Sequence, residues 1–163
     1  MKSEIKISGN RLQITRVFDA PRDSVFRWWS QAETLQQWSG CKDATRCDVE
    51  MDFRVGGSFR QTMQIAGAGK PFTIVGTYEE ILVPERIQYR LDMGMAVTHV
   101  LVEFFQEGRR TKAVLTQDGF PNEDLCKIVS HGTDESLDKL DSIVSANAIP
   151  QSSIATPAEV SRS

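Results

Sequence analysis

Six strand-like segments in series, followed by one long helical pattern, restrict the architecture of this chain more than any other sequence feature. The segments are residues 44–51, 57–65, 71–82, 86–93, 97–106 and 110–117. Glycine or proline marks the turns between them, as at Gly56, Pro84, Gly94 and Gly108. Strands that follow one another through such short turns pair antiparallel. The series therefore predicts one antiparallel sheet.

One further strand and two helices are predicted before this series. Residues 11–18 alternate apolar and polar side chains, which is typical of a half-buried strand. Pro21 then marks the start of a helix with one apolar face, and a second short helix is predicted over 33–38. Strands grouped together, with helices before and after them, indicate an α+β fold.

The last predicted helix runs from about Asn122, its predicted cap, to Ala146. Its apolar stripe consists of Leu125, Ile128, Val129, Leu140 and Ile143. The acidic residues Asp134, Asp138 and Asp141 are predicted to face away from this stripe. Small residues, Gly132 and Ser136, stand near the centre of the stripe, where large apolar side chains are usual.

Charge and hydropathy exclude several classes of protein. The chain of 163 residues has a formal net charge of −3, and no basic stripe indicates a nucleic-acid surface. No segment approaches the ~20 apolar residues that span a bilayer, and no signal peptide is recognised, so we expect a cytoplasmic protein without membrane insertion. A single domain is predicted over 11–146, followed by a disordered tail over 147–163 that is rich in Ser, Ala and Pro.

The cysteines do not form a recognisable framework. Cys41, Cys47 and Cys126 are odd in number and irregularly spaced, so neither a disulfide scaffold nor a metal site is predicted. His99 and His131 could join them as ligands, but neither stands in a ligand-like cluster. No metal and no cofactor is therefore expected.

Candidate catalytic groups are few. The sequence has no nucleophile elbow and no recognisable triad. Both histidines are predicted to face solvent, because His99 lies on the strand face opposite Val100 and His131 falls with polar positions of its helix. Tyr78 and Glu80 are the best remaining acid–base candidates, and no catalytic residue is assigned.

Five short motifs, in a fixed order, resemble a known family. They are FDAP at 18–21, the segment 33–38 ending in Trp38, DFRVGGSF at 52–59, GTYEE at 76–80 and VPERI at 83–87. Together they resemble the homologues of the activator of heat-shock-protein-90 ATPase, a branch of the START-like (SRPBCC, Bet v 1-like) superfamily. The resemblance extends over about 11–146.

This resemblance implies a helix-grip fold, in which a curved seven-stranded antiparallel sheet surrounds the long C-terminal helix and encloses a cavity. Many superfamily members hold apolar molecules there, and a few catalyse cyclisation or dehydration. Family members commonly have a Gly-Trp pair in the last helix, whereas this chain has Gly132-Thr133. The chain is also expected to lack an N-terminal chaperone-binding extension.

The sequence thus predicts binding of a small apolar molecule between the sheet and the last helix. The predicted lining consists of Trp38, Met63, Tyr78, Met93, Val102, Val129, Gly132, Thr133 and Ser136. Two alternatives stay open. One is an enzyme of the polyketide cyclase or dehydratase kind. The other is a protein-binding module, such as a chaperone cofactor, with a contiguous exposed apolar patch on the outer face of the sheet or near Leu101 and Phe105. Whether the chain forms a homodimer is also open.

Overall fold

The computed structural model describes residues 2–40 and 44–154, and side chains through residue 146. The described strands are β1 Glu4–Ser8, β2 Arg11–Phe18, β3 Ala44–Met51, β4 Ser58–Ile65, β5 Phe72–Leu82, β6 Arg86–Asp92, β7 Val97–Glu107 and β8 Arg110–Asp118. The helices are α1 Arg22–Ser30, α2 Ala32–Trp38 and α3 Glu123–Ile154. Cys41 lies outside the described residues.

All described strands belong to one antiparallel sheet in the order β1-β2-β8-β7-β6-β5-β4-β3. The predicted helix-grip fold is confirmed, but the described sheet has eight strands instead of seven. The additional strand β1 pairs Ile5 with Ile14 and Ile7 with Leu12. Its single apolar residues alternate with Lys and Glu, which is the pattern of a strand at a solvent-exposed edge.

Helices α1 and α2 close one end of the curved sheet through aromatic contacts. The ring of Phe104, on β7, lies 5.2 Å from Phe26 and 5.1 Å from Trp29, centroid to centroid. Trp29 in turn meets Trp38 at 4.6 Å. Edge-on packing of this kind adds to the hydrophobic gain from burying large rings. The cluster therefore fixes both short helices against the sheet.

Helix α3 begins where the sequence predicts, because the side-chain oxygen Oδ1 of Asn122 accepts a 2.8 Å hydrogen bond from the backbone N–H of Leu125. Its end differs from the prediction. The backbone stays helical through Ile154, whereas Ala146 was the predicted last residue. The helix thus continues past Pro150, which has no backbone N–H for the helical hydrogen bond. The remainder of the predicted tail, 155–163, lies outside the described residues.

The acidic side chains of α3 correct a second prediction. Arg16 occupies an inward position of β2 between Ile14 and Phe18, and its side chain is only 2% exposed. Its guanidinium nitrogens lie 2.6 Å from Asp138, 3.5 Å from Asp134 and 3.7 Å from Asp141. A buried cation needs compensating carboxylates. The three aspartates thus attach α3 to the sheet and do not all face away from it.

Candidate ligand-binding cavity

A cavity of about 520 Å³ lies between the inner face of the sheet and the first half of α3. Its wall includes side chains from α1, α2, α3 and every strand from β4 to β8. This volume is in the range of sites that enclose drug-sized molecules.

The sheet wall follows from strand alternation. On β5, Phe72, Ile74 and Tyr78 share the inward face and all line the cavity. Gly76 stands at the missing position in this series. A Cβ atom there would lie 2.1 Å from Cε2 of Phe59, so the Phe59 ring occupies the space of the absent side chain.

Small and medium residues form the centre of the helical wall, between Ile128 and Leu137. Val129, Gly132, Thr133 and Ser136 of α3 all line the cavity. The Ser136 hydroxyl donates to the carbonyl of Gly40 at 2.8 Å and also contacts the Gly132 carbonyl at 3.1 Å. This bond joins α3 to the segment after α2. The small residues leave space at the centre of the helix without leaving this hydroxyl unpaired.

The enclosed end of the cavity carries two tryptophans. Trp29 and Trp38 both line it and both are buried. The indole N–H of Trp38 donates to the carbonyl of Trp28 at 3.1 Å, so this polar group needs no ligand. From the end of the short helix α2, Trp38 would be expected at the mouth of a cavity, but its side chain is only 5% exposed and packs against Trp29 of α1.

The mouth lies where apolar lining residues meet solvent. Met95, in the turn between β6 and β7, is 62% exposed, and Ile128, in the second turn of α3, is 68% exposed. Both also line the cavity. Ile128 is therefore a rim residue, which corrects its predicted place in the buried stripe. Among the α3 side chains that the structure describes, the buried ones are Cys126, Ser130, Ser136, Leu137, Leu140 and Val144.

Eight of the nine predicted lining residues lie on the cavity wall. They are Trp38, Met63, Tyr78, Met93, Val129, Gly132, Thr133 and Ser136. Val102 does not line it. Its side chain is fully buried beside its cross-strand neighbours Ile87 and Leu115, so the closed core covers it. Val100, one inward position earlier on β7, takes its place in the wall.

Several lining residues were not predicted, although a signal for them existed. Phe72 and Ile74 follow from Tyr78 by steps of two along β5, and Phe59 precedes Met63 by four on β4. Tyr89 is the direct cross-strand partner of Tyr78. Gln117 could not be predicted as a lining residue, because a polar residue on β8 gives no indication of burial in the sequence alone.

No Asp, Glu, Lys, Arg or His belongs to the described cavity wall. Burial raises the pKa of Tyr78, with a smaller contribution from Tyr89, and burial alone raises the pKa of Tyr89. Both phenols therefore stay protonated and act as donors. The Gln117 amide nitrogen donates to the Thr98 hydroxyl at 2.9 Å, which orients that side chain.

The remaining titratable candidates lie away from the wall. The Glu80 carboxylate forms two hydrogen bonds with Arg86, at 2.9 and 3.1 Å, which lower its pKa. His99 and His131 are exposed, as predicted, and lie near Glu79 and Glu135 respectively. The exposed pair Asp52–Arg54 flanks the turn before β4, where a Cβ on Gly57 would meet the Asp52 carbonyl at 2.2 Å.

The sequence matches the family model described as Activator of Hsp90 ATPase homolog 1-like protein over residues 19–145. The chain belongs to this family. The match spans all the elements from α1 to β8 and most of α3. No curated protein matches the sequence.

Solved structures show the same fold as this member of the Activator of Hsp90 ATPase homolog 1-like family. A protein from Chromobacterium violaceum is 22% identical, with a TM-score of 0.74 over 83% of this chain and 97% of that one. A putative uncharacterized protein from Rhizobium leguminosarum is 27% identical, with a TM-score of 0.71 over 90% and 99%. A protein from Arthrobacter aurescens is 18% identical, with a TM-score of 0.73 over 88% and 91%.

None of the helices in the described part of the chain combines the length and the apolar character that crossing a bilayer requires.

Proposed function

We propose that this family member binds a small hydrophobic molecule in the cavity between the sheet and α3. The observation that carries the proposal is the cavity of about 520 Å³, whose wall is mainly aliphatic, aromatic and methionine side chains. Removing apolar ligand surface from water favours binding by roughly 25 cal/mol per Å². Methionines at several positions of the wall would let it adapt to an irregular ligand.

The composition of the wall favours binding over catalysis. A cyclase or dehydratase needs an acid or base that changes protonation near its working pH. Among the described lining residues the titratable side chains are Tyr78 and Tyr89, and burial moves the pKa of both upwards. Glu80, the other candidate, is engaged by Arg86 outside the cavity.

The protein-binding alternative has less support. Phe105 is exposed on β7, but Lys112 places its Nζ 5.7 Å from the ring centroid, and Leu101 is half-buried. A single exposed ring beside a charged side chain is not the contiguous apolar patch that marks a docking surface.

A fluorescent neutral dye, N-phenyl-1-naphthylamine, tests the proposal. We expect its emission to rise on binding to the purified protein, and Gly132→Trp to weaken that binding at least tenfold, because the indole would project into the cavity. Ser145→Trp is the matched control, since Ser145 is exposed on the same helix outside the wall. Gly132→Leu gives a milder version if the Trp variant does not fold. Unchanged dye affinity in a folded Gly132 variant would contradict binding at this cavity.

A further inference from the structure

Two tyrosine hydroxyls at the sheet wall have no hydrogen-bond partner among the residues that the structure describes. Tyr78 is only 4% exposed, and Tyr89 is half-buried beside it. Their ring centroids are 6.2 Å apart, across the pairing of β5 with β6. Neither oxygen is among the described side-chain atoms that are both buried and unpaired, so both are accessible from the cavity that the two residues line. A purely apolar ligand would separate these hydroxyls from water at a cost, and an oxygen on the ligand would remove that cost.

The two tyrosines lie at one level of the sheet wall. Cross-strand pairing puts Tyr78 opposite Tyr89, Tyr89 opposite Val100, and Val100 opposite Gln117. The amide nitrogen of Gln117 already donates a hydrogen bond to the Thr98 hydroxyl. The tyrosines are packed by neighbouring rings, with Phe59 at 5.4 Å from Tyr78 and 5.2 Å from Tyr89. The rings are therefore held in place while their hydroxyls stay available.

The charge of the wall limits the ligand further. A charged group of a ligand buried here would find no opposite charge among the described lining residues. Such a group keeps its ionised form in an apolar site only when it is paired, so an anion or cation is disfavoured. Two protonated phenols instead match an uncharged acceptor oxygen.

Resting on the proposed binding function, we propose that the ligand is an uncharged, mainly apolar molecule with a carbonyl or ether oxygen. The hydroxyls of Tyr78 and Tyr89 donate hydrogen bonds to that oxygen, while the aliphatic and aromatic side chains enclose the remainder. This assigns both tyrosines as the polar specificity residues of the cavity.

The first arm of the test compares fluorenone with fluorene, which differ by one carbonyl oxygen, as competitors of the bound N-phenyl-1-naphthylamine. We expect Tyr78→Phe and Tyr89→Phe each to weaken fluorenone by about two- to tenfold and to leave fluorene within about twofold. Both variants keep the ring and its packing. Equal changes for the two competitors in both variants would overturn the role of the hydroxyls.

The second arm compares the neutral dye with its sulfonated analogue, 8-anilinonaphthalene-1-sulfonate, which has the same ring skeleton. We expect the anion to bind at least tenfold more weakly, because its sulfonate has no cationic partner on the wall. Equal affinity would overturn the preference for an uncharged ligand.

The outcomes separate this inference from the function on which it rests. If the Gly132 variants bind the dye as tightly as the unsubstituted protein does, the proposed function itself is contradicted. Dye binding that Gly132→Trp abolishes, together with indifference to the tyrosine substitutions, keeps the cavity as the binding site and removes only the proposed ligand chemistry.

Discussion

The two halves of α3 face the same sheet but meet it in opposite ways. After Leu137, which stands at the boundary of the cavity, Leu140 and Val144 are buried, and the Arg16 guanidinium binds aspartates of this half and of the turn before it. Before Leu137, the helix presents Gly132, Thr133 and Ser136 to a cavity, and Ile128 reaches solvent at its mouth. One half is thus closed by large side chains and charge pairs, and the other half is open.

This difference assigns stability and binding to separate parts of one helix. Close-packed interiors lose stability when a methylene is removed, because the surrounding structure relaxes only partly. Side chains that line a cavity make fewer van der Waals contacts on the cavity side, so their removal loses less packing energy. We therefore expect substitutions in the closed half to alter mainly the free energy of unfolding, and substitutions in the open half to alter mainly ligand affinity.

The largest expected effect is that of Leu140→Ala, since Leu140 is fully buried in the closed half. The cavity left behind should lower the free energy of unfolding by about 2–5 kcal/mol, measured by urea denaturation. Val129→Ala, at the half-buried wall of the open half, should cost less than about 1.5 kcal/mol. Similar losses for the two variants would remove the distinction between the halves.

Arg16→Met should have the next largest effect. It removes the cation that three carboxylates share, at a cost of about 1–3 kcal/mol, which is below that of a fully buried pair because Asp138 is largely exposed. Arg54→Met is the control, since the exposed Asp52–Arg54 pair should contribute less than about 1 kcal/mol. A cost for Arg16→Met no greater than that of the control would show that charge does not fix the closed half.

The sequence predicted the closed half less well than the open half. Periodicity placed Gly132 and Ser136 at the centre of the stripe, and the gap they leave is where the cavity lies. Arg16 stands at an inward position of an alternating strand, but a charged residue there gives no sign of its partners until β2 and α3 are placed side by side. Long-range charge pairing of this kind cannot be seen in local patterns.

The order of β3 to β8 and the side-chain alternation could be predicted because both are local, whereas the pairing of β2 with β8 joins distant parts of the chain. Turns at Gly94 and Gly108 fixed the pairing of consecutive strands, and the inward face of β7 followed from Val100. The sequence could not predict which inward residues line the cavity. Val100 lines it and Val102 does not, and only the position of α3 over the sheet decides between them.

A smaller effect, of opposite sign, is expected in the open half. Gly132→Ala should raise the free energy of unfolding by up to about 1 kcal/mol, because alanine is the better helix former and its methyl group would enter the cavity. Dye affinity should fall slightly at the same time. Ser145→Ala, on the exposed face, controls for helix propensity alone and should leave dye binding unchanged. Destabilisation by Gly132→Ala would mean that the open half has no room at this position.

The smallest effect concerns Glu80, outside both halves. Its hydrogen bonds with Arg86 lower its pKa in the folded protein from the ordinary value of 4.5. A lowered folded-state pKa stabilises the protein above the unfolded-state value, and that contribution disappears as pH falls through the folded-state pKa. Glu80→Gln should therefore be slightly less stable than the unsubstituted chain at pH 7, and the difference should shrink below about pH 4.5. Urea denaturation at pH 7 and pH 3.5 measures this difference in stability.

The same variant should bind the neutral dye as tightly as the unsubstituted chain, because Glu80 pairs with Arg86 outside the cavity wall. A loss of dye binding would instead place Glu80 in the binding site.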